Sequence, residues 1–458
     1  MDTIIKNGTV VTAVDTFDAD VGIANGKIVQ IGANLEAQGA SIVEAGGKYV
    51  MPGGIDVHVH LQLPFCGTVS ADDFENGTKA GACGGLTTLI DFAIQSKGHS
   101  LMDAIKARQA EADANVCIDY SLHGGITDWS VAKDEMDAAV EYGVPSFKMF
   151  MVYRSQGWMA DDGMLLQALE ATAKNGARIL VHAENDDAIN MLQERWGPKY
   201  KEVGAYGHAL TRPNYTESEA IGRAALWAEV TGGRLYVVHM STGEGNDHIK
   251  NARERGADVL SETCPQYLLL DDELFKGENG HLYGTCPQLR KPADQARLWK
   301  GLQEGTVQVV GTDTCTFNTQ QKAMWEGDFR KIPFGMPGVE TMLPIMYTHG
   351  VGEGRISLNK FVALCATNPA KIFGLYPNKG SIAVGGDADI VVWDPDREVT
   401  LTHNQMQTNC DWSPFEGYQI KGYPHVTLSR GRVVAEQGKF VGKVGHGKFV
   451  RRKPWGNI

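Results

Sequence analysis

An α/β fold, a (β/α)8 TIM-like barrel carrying a small β-sandwich domain made from both chain ends, is what three observations predict. Eight apolar, strand-like runs alternate with helix-like stretches through the middle of the chain. Both ends are β-rich in the same style. Two histidines, His58 and His60, stand one residue apart at the end of the first of the eight runs. Such alternation favours a parallel sheet with crossover helices, and eight units suffice to close it into a barrel.

In chain order, residues 2–11, 20–23 and 27–31 read as strands, with Asn25-Gly26 suited to a two-residue hairpin turn. Residues 54–60 open the barrel. Its further strands are predicted at 87–92, 118–126, 146–152, 178–183, 234–240, 258–263 and 307–313. Helical patterns over 72–83, 101–114, 132–141, 163–174, 218–230, 245–255 and 293–304 lie between them. Short strands at 388–393, 398–401, 425–429 and 432–435 repeat the style of the start. The expected division is a composite β domain of residues 1–50 and 380–458 around a barrel of residues 51–379.

The 458 residues are 43% hydrophobic and 21% charged, as in an ordinary soluble globular protein. A formal charge of -12 argues against nucleic acid or an anionic membrane as the main partner. No apolar run reaches the roughly 20 residues that span a bilayer, and the start lacks the layout of a signal peptide. The eight cysteines form no CxxC pair, so neither a zinc knuckle nor a disulfide framework is indicated. A cytoplasmic protein with reduced thiols is expected.

In a (β/α)8 barrel the active site lies at the carboxyl ends of the strands. A strand sends alternate side chains to one face, so His58 and His60 project side by side. The fourth strand holds Lys148 among apolar neighbours, where a charged amine is costly to bury. The fifth, sixth and eighth end at His182, His239 and Asp313. A lone histidine or aspartate at a strand end is most often a hydrogen-bonded residue or a helix cap. Six residues obeying one barrel-mouth rule point instead to a metal site. His123, on the third strand, is a competitor, read here as structural or as support for the others.

Imidazole and carboxylate ligands suit zinc and tolerate manganese, iron or cobalt. A protonated lysine would repel cations. With carbon dioxide added as a carbamate, an N6-carboxylated Lys148 becomes a carboxylate long enough to bridge two divalent ions, which together can activate a shared water.

The residues that follow carry a family resemblance over essentially the whole length. They include Pro64-Phe65-Cys66-Gly67-Thr68 with Asp72-Asp73-Phe74, and Gly84-Gly85-Leu86-Thr87-Thr88. Further along come Glu262-Thr263-Cys264-Pro265-Gln266-Tyr267 and Pro337-Gly338-Val339-Glu340. With the strand-end set, the chain resembles the cyclic amidohydrolases, and within them the dihydropyrimidinase and D-hydantoinase group. The resemblance implies a first metal on His58 and His60, a second on His182 and His239, a bridging carboxylated Lys148, and Asp313 as last ligand and base. It implies Tyr153 as oxyanion donor and substrate contact. The implied reaction is ring-opening hydrolysis of a cyclic amide by a hydroxide bridging the two metals, giving an N-carbamoyl amino acid. A homotetramer is implied as well, with the basic tail from Lys439 to Lys453 lying along a neighbouring subunit.

Dihydroorotases and allantoinases usually place an arginine or an acidic-proline-glycine run after the first histidine pair. Here Leu61-Gln62-Leu63-Pro64-Phe65 follows, which supplies no charge for an acidic substrate. Leu63 and Phe65 suit a hydrophobic substituent, or else ordinary core packing. Three places depart from the family pattern. Asp313-Thr314-Cys315 stands for Asp-His-Cys, Cys286-Pro287-Gln288 for Ser-Pro-Pro, and Phe334-Gly335-Met336 for Asn-Gly-Leu. The family's serine and asparagine hold the substrate ring largely through main-chain groups, a contact that Cys286 and Phe334 can keep. These departures leave open a hydrolase of another cyclic imide or ureide. A non-catalytic scaffold related to dihydropyrimidinase is the remaining alternative, distinguished by loss of metal ligands.

Overall fold

The structure, a computed structural model, describes residues 1–454. The last four residues of the predicted β domain, Trp455 among them, lie outside the described residues. Eight parallel strands run in chain order around the barrel: Gly54–Val59, Leu86–Ile94, Asp119–Gly125, Ser146–Phe150, Arg178–His182, Leu235–Val237, Val259–Thr263 and Val309–Val310. All eight fall within or beside the predicted runs. The eighth is the shortest, because beyond Val310 a side chain takes over the pairing. Asp56 accepts from the Thr312 amide at 3.1 Å and from the Thr312 hydroxyl at 2.6 Å. A bridge between Val59 and Thr314 then closes the eighth strand onto the first.

The crossover helices start where capping side chains meet amide donors. Asp73 caps Phe74–Cys83, Ser100 caps Leu101–Ala112, Asp161 caps Asp162–Asn175 and Thr242 caps Gly243–Glu254. Inside the barrel, Ile55, Val57, Ile90, Phe92, Leu180, Tyr236, Val238, Leu260 and Val309 form one apolar cluster with Ile372 and Phe373. That packing fills the barrel and leaves its polar mouth at the strand ends.

Both chain ends meet in a nine-stranded sheet. Thr16–Ala24 and Lys27–Gly32 form the predicted hairpin, with both Asn25 (φ 53°) and Gly26 (φ 77°) left-handed at the turn. Tyr49–Pro52 joins the two ends, parallel to Thr3–Val11 and antiparallel to Ile390–Thr400. Met51 and Pro52 pair with Val391 and Ile390, so they belong to this sheet and the barrel begins at Gly54.

The described part of the tail packs on its own barrel. The Tyr120 amide donates to Lys448 O at 3.0 Å, and Val450 N returns the bond to Tyr120 O at 2.7 Å. Phe449 lies against Tyr120 and Tyr142. Arg452 is 2% exposed; it donates to Ser121 and Ser146 hydroxyls, each at 2.8 Å, and to Phe373 O at 3.2 Å. Arg452 is thus a structural plug between the tail and the barrel. Arg452→Ala leaves those buried acceptors without a donor, at a cost of about 3 kcal/mol. The expected result is a lower urea midpoint at an unchanged m-value, with activity per folded molecule retained.

Candidate active site

All eleven sequence-predicted site residues line one cavity at the barrel mouth. His58 and His60 lie side by side, ring centroids 5.1 Å apart. Asp313 Oδ1 sits 3.1 Å from His58 Nε2 and 3.3 Å from His60 Nε2, so three donor groups converge on one point. Opposite them, His182 Nδ1 and His239 Nε2 face each other at 3.1 Å. His239 also stacks on His58, centroids 5.3 Å apart, which joins the two groups into one cluster. Lys148 is 1% exposed and stands over the rings of Phe92 and Phe150 at 5.3 and 5.4 Å.

Burial dominates the electrostatics. It lowers the imidazoles of His58, His182 and His239, which therefore sit neutral with lone pairs available. It lowers Lys148 to about 8, against the opposing pull of Asp313 and Glu262. For Asp313, burial acts to raise the carboxyl, but His58, His60 and Lys148 outweigh it and hold the group below its usual range. His58 Nε2, His60 Nδ1 and His239 Nδ1 are buried without a hydrogen-bond partner among the described residues. Of these, His58 Nε2 stands beside the Asp313 carboxylate, and an unpaired buried nitrogen there fits a bound cation better than an internal hydrogen-bond network.

Two acidic residues that the sequence reading did not assign fix the ring orientations. Glu262 is bonded to His58 Nδ1 and accepts from the Tyr236 hydroxyl and the His239 amide, at 3.0 and 3.1 Å. Glu184 bonds His182 Nε2 at 2.7 Å and is itself paired with Arg212. These contacts direct His58 Nε2 and His182 Nδ1 into the cavity, the usual carboxylate support of a metal-ligating histidine. A signal was present: Glu184 and Glu262 also lie at strand ends. His123 is structural, bonded to the Ser146 hydroxyl at 2.6 Å and to Val57 O at 3.0 Å.

Tyr153, His239 and Asp313 all adopt left-handed backbone, φ 72°, 39° and 54°. Each such residue costs about 1–3 kcal/mol and persists only where its surroundings hold it. Asp186 Oδ1 accepts from the amides of Tyr153 and Arg154 at 3.0 and 3.2 Å, and Glu262 holds His239. The Tyr153 phenol, hydrogen-bonded to Cys286, is pushed well above its usual value, first by burial. Burial likewise pushes the Cys286 thiol up to about 12.

The wall opposite the histidines is aromatic. Phe65 stacks on Trp158 at 5.8 Å, and Trp158 lies 5.2 Å from Phe150. Trp158 sits in a loop, where no periodicity marked it. Leu63, Thr285, Phe334 and Gly335 complete the rim. Of the three family departures, Cys286 and Phe334 line the cavity. Thr314 instead turns its hydroxyl to Thr312 Oγ1 at 2.7 Å, within the network that closes the barrel.

Residues 49–434 match the amidohydrolase family. The chain is 44% identical to a D-hydantoinase of Geobacillus stearothermophilus, over 100% of this chain and 98% of that protein. It is 40% identical to a D-phenylhydantoinase of Escherichia coli, over 99% of each. Among solved structures, a dihydropyrimidinase from Brevibacillus agri superposes with a TM-score of 0.97 at 42% identity, covering all of both chains.

Proposed function

The chain belongs to the amidohydrolase family, and from that premise we propose that it catalyses ring-opening hydrolysis of a cyclic amide, a hydantoin or dihydropyrimidine, to an N-carbamoyl amino acid. The observation that carries this reading is the convergence of four histidines, Lys148 and Asp313 on one buried cavity.

We assign His58, His60 and Asp313 to one divalent cation and His182 and His239 to a second. Carboxylated at Nζ, Lys148 would supply a carboxylate to help hold both cations. The partnerless Nε2 of His58, beside the Asp313 carboxylate, supports this set. So does the lowered amine of Lys148, since only a neutral amine adds to carbon dioxide, releasing one proton as the carbamate forms. Two bound cations, with zinc the best match to these donors, supply an activated water at neutral pH and polarise the substrate carbonyl.

The chain's own residues do the rest. Asp313, held ionised, takes the proton of the attacking water and passes it to the departing ring nitrogen as the C–N bond breaks. Tyr153 keeps its proton and donates its hydroxyl to the carbonyl oxygen as negative charge develops there. Main-chain groups at Cys286 and Phe334 hold the ring, and Leu63 and Phe65, with Trp158, face its substituent. A donor used only at the transition state affects turnover more than binding. Tyr153→Phe is therefore expected to lower kcat by ~10²–10³-fold with metal content unchanged. A modest change in KM alone would remove Tyr153 from the mechanism.

Cys286 and Phe334 favour a second reading, a hydrolase of another cyclic imide or ureide, because both stand where the substrate ring would lie. A panel of dihydrouracil, 5-substituted hydantoins and cyclic imides, with each enantiomer separate, decides between them. The names of the D-specific relatives support the D-enantiomer as the one opened. Release of an N-carbamoyl product from hydantoins supports the main reading, and activity confined to imides supports the second. A metal-free protein inactive on the whole panel would indicate the scaffold.

A homotetramer is proposed on the exposed apolar side chains of Met191, Tyr215, Leu226 and Val230, and light scattering tests it. All eight cysteines are free thiols, which supports the cytoplasm as the compartment. No helix among the described residues is long and apolar enough to cross a membrane.

A further inference from the structure

Two short segments build the cavity wall that departs most from the family pattern, residues 284–286 and 333–335. They are far apart in sequence and meet through one main-chain bond, Gly335 N to Gly284 O at 2.9 Å. Lys322 lies behind them. Its side chain is fully buried, and its ammonium bonds two main-chain carbonyls, Gly284 O at 3.0 Å and Pro333 O at 2.7 Å.

We propose that Lys322 is a positioning residue for substrate binding: by tying the two segments together, it fixes the wall formed by Cys286 and Phe334 on which the substrate ring rests. The local structure around it is built for this. Lys322 ends a short helix, Thr319–Lys322, held by a capping box between Asn318 and Gln321. The rings of Phe317 and Trp412 flank the ammonium at 5.9 and 5.8 Å. Each segment is also held from the far side. His208 bonds Thr285 O at 2.8 Å and stacks on Phe334 at 4.9 Å. An apolar side chain would fill the same space but would take the ammonium donor from both carbonyls, leaving Gly284 O with the Gly335 amide alone. Burial lowers the amine to about 7, and charged or neutral it keeps enough N–H groups for both carbonyls.

The kinetic part of the test rests on the hydantoin reading; the exchange part does not. Lys322→Met keeps the length of the side chain and removes its donors. With 5-phenylhydantoin as probe, KM is expected to rise about tenfold and kcat to stay within about twofold, with metal content unchanged. Amide hydrogen exchange at 284–288 and 333–337 is expected to accelerate at least ~tenfold, with the barrel strands unaffected. Lys322→Gln, which keeps a donor for one carbonyl, should fall between the two. A KM within twofold of wild type overturns the proposal, and so does unchanged exchange at both segments. Exchange rising across the whole barrel, or kcat and metal falling together, also overturns it, since either marks a general structural role. If the wild-type protein opens no hydantoin and no dihydrouracil, the functional reading fails. Exchange then decides alone: localised acceleration supports Lys322, and its absence sinks it. If Lys322→Met yields no folded protein, Lys322→Gln is read by the same measurements.

Discussion

Lys148→Ala is expected to abolish turnover and to leave the protein without its full metal complement. Lys148 is 1% exposed at the centre of the cavity, among neutral imidazoles, with Phe92 and Phe150 beneath its amine. As an ammonium it would repel both cations proposed here. As a carbamate it contributes a negative charge and two oxygens to the site. Alanine removes that group and opens a space that a small carboxylate can enter. Acetate or propionate is therefore expected to restore part of both activity and metal content, whereas alkylammonium salts are not. Metal content is read by elemental analysis of the purified protein, before and after dialysis with each carboxylate. Full metal occupancy in Lys148→Ala with activity within a few-fold of wild type would exclude the bridge. Density for a bare ammonium in the active, metal-loaded enzyme would do the same.

Asp313→Asn should separate the two roles assigned to Asp313. The amide keeps the size and one ligand oxygen, so some metal is retained, but it cannot accept a proton at neutral pH. The expected loss is ~10²–10⁴-fold in kcat. In the wild-type protein, the carboxyl is held below its usual range because His58, His60 and Lys148 outweigh its burial. The base is therefore ready across the neutral range and is lost only as the pH falls through that lowered value. The acid limb of the wild-type kcat profile is expected to be missing from the residual activity of Asp313→Asn. Turnover within a few-fold of wild type would require another base. Glu262, raised to about 7 chiefly by burial, is the nearest candidate to re-examine, since it is the carboxylate on the far side of His58.

Much of the barrel was legible because its signals are local. Period-two strands, 3.6-residue helices and side-chain caps repeat within short windows, and each predicted strand falls on an observed one. The short eighth strand was overestimated. Its pairing passes from backbone to the Asp56 side chain, a partner on the opposite side of the closing seam that no local pattern records.

The site divides in the same way. His58, His60, Lys148, His182, His239 and Asp313 could be chosen from the sequence alone, since strand polarity in a barrel brings all strand ends to one mouth. The sequence also determined which chemistry those residue types could support. Only the tertiary structure decided which nitrogen of His58 and of His182 faces the cavity, because that depends on Glu262 and Glu184 as partners. It decided the left-handed backbone at Tyr153, His239 and Asp313, held by Asp186 and Glu262 from other segments. It decided that Lys322 and Arg452, two basic residues with no marked local setting, are buried donors to main-chain carbonyls. The physical reason is common to all of these. A period is written into consecutive residues, but the hydrogen bonds that satisfy a buried group are made only when distant parts of the chain have packed around it.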